Sequence, residues 1–115
     1  MKKKKCLILL PTRFNDGKDV PPSVFSRVLR SIDETLDYYS VGGLCDGVYK
    51  MDDGSKAHDR SVMVWAVVAP EKVDELRALA ARIAGMLQQE SLYFEVTEVD
   101  FGLVRPSDEN GDSDE

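Results

Sequence analysis

The chain has 115 residues, of which 43% are hydrophobic and 31% charged, and a formal net charge of −6. That is the composition of one globular domain; it excludes collagen-like, disulfide-scaffold and low-complexity classes. No apolar run approaches ~18 residues, so no membrane-spanning helix and no membrane partner are expected.

The N-terminus opens with Lys2-Lys3-Lys4-Lys5 before Cys6-Leu7-Ile8-Leu9-Leu10. This is too short for a signal peptide, and two widely spaced cysteines suit a reducing compartment, so a cytoplasmic location is expected. Residues 1–5 read as a basic, flexible terminus. Lys5 to Thr12 then reads as a strand with a continuous apolar centre. Asn15-Asp16-Gly17 is a turn signal. Pro21-Pro22 precede Val24, Phe25, Val28, Leu29, Ile32 and Leu36 at helical spacing, which predicts a helix over 22–38. Residues 40–50 predict a second strand, in which Gly42-Gly43 suggests a bulge. Residues 51–60 form a polar hairpin loop, with Asp53-Gly54 at its tip. Ser61 to Ala69 is strongly β-prone. Val73, Leu76, Leu79, Ala80, Ile83, Met86 and Leu87 give the buried stripe of a helix over 71–89, opened by Pro70 and the acids Glu71, Asp74 and Glu75. Leu92, Phe94 and Val96 alternate with polar residues in a fourth strand. Residues 106–115 carry five acids and no base, and read as a disordered acidic tail.

The order β-α-β-β-α-β predicts an α+β, ferredoxin-like sandwich over residues 1–105: a four-stranded antiparallel sheet with two helices on one face. Strands one and three are apolar on both faces and belong in the centre. Strands two and four, with Asp46, Lys50, Glu95 and Glu98, belong at the edges. The run Leu10-Pro11-Thr12-Arg13-Phe14-Asn15-Asp16-Gly17, the helix after it, Asp59-Arg60-Ser61 and Gln89-Glu90-Ser91-Leu92-Tyr93-Phe94-Glu95 resemble a group of small bacterial proteins of unknown function. The resemblance spans roughly residues 6–99. It implies the same element order and brings no activity with it.

Chemistry is sparse. Cys6, Cys45 and His58 are the only Cys or His residues, too few and too scattered for a zinc site. Asp16, Asp52, Asp53 and Asp59 could in principle hold Mg²⁺ for phosphodiester hydrolysis, but the first three sit in Asp-Gly turns, where Asp serves backbone geometry. No metal or cofactor is therefore expected. Residues 6–105 carry eleven bases and sixteen acids, a balance that argues against a nucleic-acid partner. Arg13, Asp59, Arg60, Glu90, Tyr93 and Glu95 are the candidate ligand-binding residues. They would form either a small polar site for an anion held by Arg13 or Arg60, or salt bridges that pin loops. No catalytic residue is assigned.

Strand three is the most informative segment. Val62, Val64, Ala66 and Val68 alternate with Met63, Trp65 and Val67. If the first set faces the helices, the second lies on the open face of the sheet, where an apolar patch needs a cover. Residues 101–104 are too short to hide two central strands, so a sheet-to-sheet homodimer is expected, with another protein partner as the other cover. The functional expectation is a small non-catalytic binding or regulatory module acting through that face. The rivals are a small-molecule enzyme of the dimeric α+β barrel kind, with Tyr93, Glu95 and Trp65 lining a pocket, and a metal-dependent phosphodiesterase.

Overall fold

The computed structural model describes residues 1–107. The elements run β1 (Lys2–Pro11), α1 (Pro22–Thr35), β2 (Ser40–Lys50), β3 (Lys56–Val68), a single 3₁₀ turn (Pro70–Lys72), α2 (Val73–Met86) and β4 (Phe94–Asp100). The strands form one sheet in the order β2-β3-β1-β4, antiparallel at each junction. This is the ferredoxin-like α+β fold, with strands one and three in the centre. The acidic tail expected over 106–115 lies, from residue 108 on, outside the described residues.

The core follows from the period-two alternation of the central strands. Cys6, Ile8 and Leu10 of β1 and Val64, Ala66 and Val68 of β3 are buried beneath Val28 and Ile32 of α1 and Leu76, Leu79, Ala80 and Ile83 of α2. Leu87 closes this layer just past α2, where Gln88 turns the chain at φ 53°. Pro21 caps α1, and Pro22 starts it without needing an N–H. Arg77 of α2 stacks over Phe94 of β4, 5.0 Å from the ring centre, and fastens the helix layer to that edge.

Three boundaries differ from the sequence expectation. The lysine run is not a loose terminus: Lys2–Lys5 are the first half of β1. The reason lies across the ladder. Lys2 is opposite Asp100 and Lys4 opposite Glu98, cross-strand pairs of opposite charge. The terminal amine also donates to Asp100 Oδ1 at 2.8 Å. Second, β3 begins at Lys56, so His58, Asp59 and Arg60 are strand residues, paired with Val48, Gly47 and Asp46 across a long hairpin. The loop proper shrinks to the turn around Asp53-Gly54, where Gly54 takes φ +88° and the Asp53 carboxylate accepts from the Ser55 N–H and hydroxyl. Third, the helices are shorter than expected at their C-terminal ends, because Leu36 and Leu87 already leave the helical conformation. The glycine pair behaves as predicted, with a register shift between Val41 and Leu44.

Candidate functional site

The odd-numbered residues of the central strands face away from the helices. Leu7 pairs with Trp65 and Leu9 with Met63, while Val67 lies opposite Lys5. All are half-buried. Trp65 lies flat across Gly42 of β2, so close that a Cβ there would meet its Cζ3 at 2.9 Å. The Lys5 ammonium sits 5.5 Å from the indole centre. Residues 101–104 do not fold back over this surface: Leu103 and Val104 are 85% and 98% exposed. Among the described residues, nothing covers the centre of the open face.

Towards the C-terminal end of β1 the same face runs into a groove of about 910 Å³, continuous with a recess of about 460 Å³. Pro11, Asn15, Tyr49, Met51, Asp59 and Gln89 line both. Arg13, Phe14, Asp46, His58 and Arg60 add the outer wall. Leu9, Ser61, Glu90 and Tyr93 add the inner one. The groove is held open by backbone contacts at its base. Thr12 N–H donates to the Arg60 carbonyl at 3.0 Å, and Val20 N–H to the Thr12 carbonyl at 2.9 Å. The Gln89 amide donates to the Arg13 and Leu87 carbonyls at 3.0 and 3.1 Å, tying the end of α2 to the turn after β1.

The candidate residues divide into paired and unpaired groups. Arg13 is 3.4 Å from Asp19, and Arg60 is 3.0 Å from Asp46. Neither arginine pairs with Glu90 or Glu95. The hydrogen bond from Arg60, reinforced by its charge, holds the Asp46 carboxyl below its ordinary range. The Tyr93 hydroxyl donates to Glu95 Oε1 at 2.8 Å. That bond, with the carboxylate's charge, raises the Tyr93 phenol above its usual value. Asp59 and Glu90 make no such contact. Since the two Arg–Asp pairs cancel, the groove is left with the negative charge of Asp59 and Glu90. Both arginines are thus engaged by an aspartate, each through Nε alone, and remain largely exposed.

Sequence reasoning passed over Ser61. It is only 6% exposed, the one buried polar residue among those described, and it lines the inner recess. Its hydroxyl has no hydrogen-bond partner among the described residues. A buried, unpartnered hydroxyl costs about 1–3 kcal/mol, so its place at the floor of an open recess is notable. The available signal was the serine that opens the apolar run from Val62 to Val68, opposite Pro11 and Cys45. Tyr49, at the end of the expected second strand, and Met51, at the start of the hairpin loop, were also missed, since neither stretch carried a site signal.

The acids proposed for metal binding do not converge. Asp16 accepts the Lys18 N–H at 2.9 Å and Asp53 is engaged by Ser55. Among the described residues no three Asp, Glu, His or Cys side chains form a potential metal site.

No family model and no curated protein matches this sequence. Solved structures do. A phage SAM lyase in complex with S-methyl-5′-thioadenosine superposes with a TM-score of 0.63 at 19% identity, covering 84% of this chain and 81% of that one. CutA1 from the psychrotrophic bacterium Shewanella sp. SIB1 gives 0.64 at 13% identity, over 88% and 84%. The GlnK–ATP complex of B. subtilis gives 0.54 at 16%, over 86% and 84%. At these identities the similarity establishes the fold alone.

Proposed function

We propose that this chain is a small binding module that forms a homodimer through the open face of its sheet and takes a small organic ligand in the groove at the end of that face. The observation that carries the ligand site is the Ser61 hydroxyl, buried and unpartnered on the recess floor. A ligand that accepts or donates one hydrogen bond there removes the cost of leaving it unpaired. Tyr49, Tyr93, Phe14 and Met51 offer flat, polarizable walls, suited to an aromatic base. Two structural neighbours carry adenosine-containing ligands, which makes an adenosine derivative the ligand class to test. The acidic excess of Asp59 and Glu90 favours a neutral or cationic derivative over a polyphosphate.

The dimer reading rests on Leu7, Leu9, Met63, Trp65 and Val67. Together they form an apolar surface on two central strands that residues 101–104 leave bare. A two-fold, face-to-face packing is the simplest closed cover.

Calorimetric titration with S-methyl-5′-thioadenosine, adenosine and ATP tests the ligand site. Binding of the first two, weaker binding of ATP, and loss of binding in Ser61→Val are expected. Equal affinity for ATP, or an unaffected Ser61→Val, overturns the assignment. Light scattering on wild type and Trp65→Glu tests the face: a native mass that the substitution lowers is expected.

A second reading, an enzyme acting on such a ligand, is favoured by the Tyr93–Glu95 pair, a phenol and a carboxylate 2.8 Å apart next to the recess. Incubation with S-adenosylmethionine and chromatography for S-methyl-5′-thioadenosine decides it. Turnover lost in Glu95→Gln establishes the enzyme; no product leaves the binding module.

A further inference from the structure

Two further apolar surfaces are bare, and they lie at opposite corners of the molecule. On β2, Val41, Leu44 and Val48 are 51%, 59% and 54% exposed. They lie on the helix side of the sheet, opposite Val64, Val62 and His58, where neither helix covers them. β2 is an edge strand eleven residues long. Among the described residues its outer row of N–H and C=O groups makes no backbone hydrogen bond, and only Asp46 and the bulge at Gly42-Gly43 blunt it before Lys50. Natural edges of this kind are normally protected or occupied. The second surface is Phe101, Leu103 and Val104, at 38%, 85% and 98% exposure, in the stretch that directly follows β4.

The two surfaces cannot meet within one chain. Phe101 N–H donates to the Met1 carbonyl at 2.8 Å, which fixes the segment beside the first residue of β1. Val41 is level with Val64 and so with Ile8 of β1. Seven residues of strand and three strand spacings separate them, about 27 Å. Phe101 to Val104 span at most ~14 Å. The ten residues after Arg105 contain no apolar side chain other than Pro106, so they are no substitute for an apolar cover.

We propose that residues 101–104 of one copy lie along the free edge of β2 of a second copy, adding a short strand to its sheet. Backbone groups of the donor pair the outer edge of β2, and Phe101 and Leu103, two apart and so on one face of the donor, cover part of the row Val41, Leu44 and Val48. Donor and acceptor are different surfaces, so each copy offers one of each. The contact is heterologous and links more than two chains, into a closed ring or a growing row. It is distinct from the face-to-face contact centred on Trp65, and each can be broken without the other.

Native Cys45 lies on β2 itself, half-buried and free, whereas Cys6 is buried. Leu103→Cys and Val104→Cys place a thiol on either side of the donor segment. Mild oxidation followed by non-reducing electrophoresis should give a ladder of covalent multimers from at least one of the two variants, and adding Cys45→Ser should abolish it. Light scattering should show more than two copies for the full chain, and a drop to two or fewer for a chain ending at Asp100. Monomeric bands from both cysteine variants, or an unchanged mass on removal of residues 101–115, overturn the proposal. Trp65→Glu separates the two contacts. A ladder that persists in that background, with a reduced native mass, supports both. A native mass unaffected by Trp65→Glu rejects the face contact alone.

Discussion

The adjacent glycines of β2 offer a sharp test of how Trp65 is used. An alanine Cβ at position 42 would lie 2.9 Å from Trp65 Cζ3, and 3.6 Å from both the Cβ and the carbonyl of Met63. At position 43 nothing lies within 4 Å. Reaching an ordinary contact of ~3.8 Å requires the indole edge to move by about 0.9 Å, a tilt on the order of 10°. An isolated chain permits that tilt, because the outer side of the ring is open. Its cost stays below the ~0.5–1.5 kcal/mol of a 30° off-rotamer displacement. If a second sheet is packed against the ring, the tilt is blocked, and the added methyl becomes overpacking worth about 1–3 kcal/mol. Gly42→Ala should therefore weaken self-association by roughly 5- to 150-fold while leaving the monomer's unfolding free energy within about 1 kcal/mol. Gly43→Ala should be neutral or stabilising, by up to about 1 kcal/mol, through the unfolded chain. A dilution series by light scattering measures the first effect and denaturant unfolding the second. Identical association constants for the two variants would show that no partner presses on Trp65.

Three further outcomes are expected. A chain ending at Arg105 should keep its melting temperature within about 2 °C, since the removed residues carry no apolar anchor and surface changes rarely exceed ~0.5 kcal/mol; a larger fall means that the tail docks. The Asp46 carboxyl, lowered by its bond to Arg60, should titrate by NMR below the range of a free aspartate and return to it in Arg60→Ala. The sign follows from the lowered value: the pair's stabilisation is present above the unfolded-state pKa and is lost as pH falls through the folded one. Thiol labelling of the native chain should modify Cys45 promptly and Cys6 only on unfolding, because Cys6 is 2% exposed and burial raises its thiol above the usual value; equal rates would mean that the central strands open together.

The architecture was legible because the central strands advertise themselves. Leu7 to Leu10 and Val62 to Val68 are apolar on both faces, and in a sandwich with helices on one side only interior strands tolerate that. The edges were legible from their charges. Lys2 to Lys5 were not legible as strand, because intrinsic propensity disfavours lysine there. Only the register, which sets Glu98 and Asp100 opposite Lys4 and Lys2, supplies the compensation. The hairpin failed for a related reason. His58-Asp59-Arg60 read as polar loop, yet the Arg60–Asp46 ion pair and the ladder to Val48 and Gly47 keep them in strand. Both misses are pairings between residues remote in sequence, which local composition does not encode.

The site was half legible for the same reason. Arg13, Asp59, Arg60, Glu90 and Tyr93 were each recognised as polar groups near one end of the sheet, and the structure places all five on the groove. Their charges could not be summed without knowing which acids neutralise which bases. Asp19 and Asp46, the latter read in sequence only as an edge residue, take both arginines and leave the groove acidic. The alternation of β3 then ties the groove to the interface. Its even positions, 64, 66 and 68, are core. Its odd positions run from Ser61 on the recess floor through Met63 and Trp65 to Val67. A one-residue slip of that strand would exchange the two sets, and with them both the apolar face and the recess floor. The same register that buries the core thus places the Ser61 hydroxyl and the Trp65 indole four residues apart on one surface.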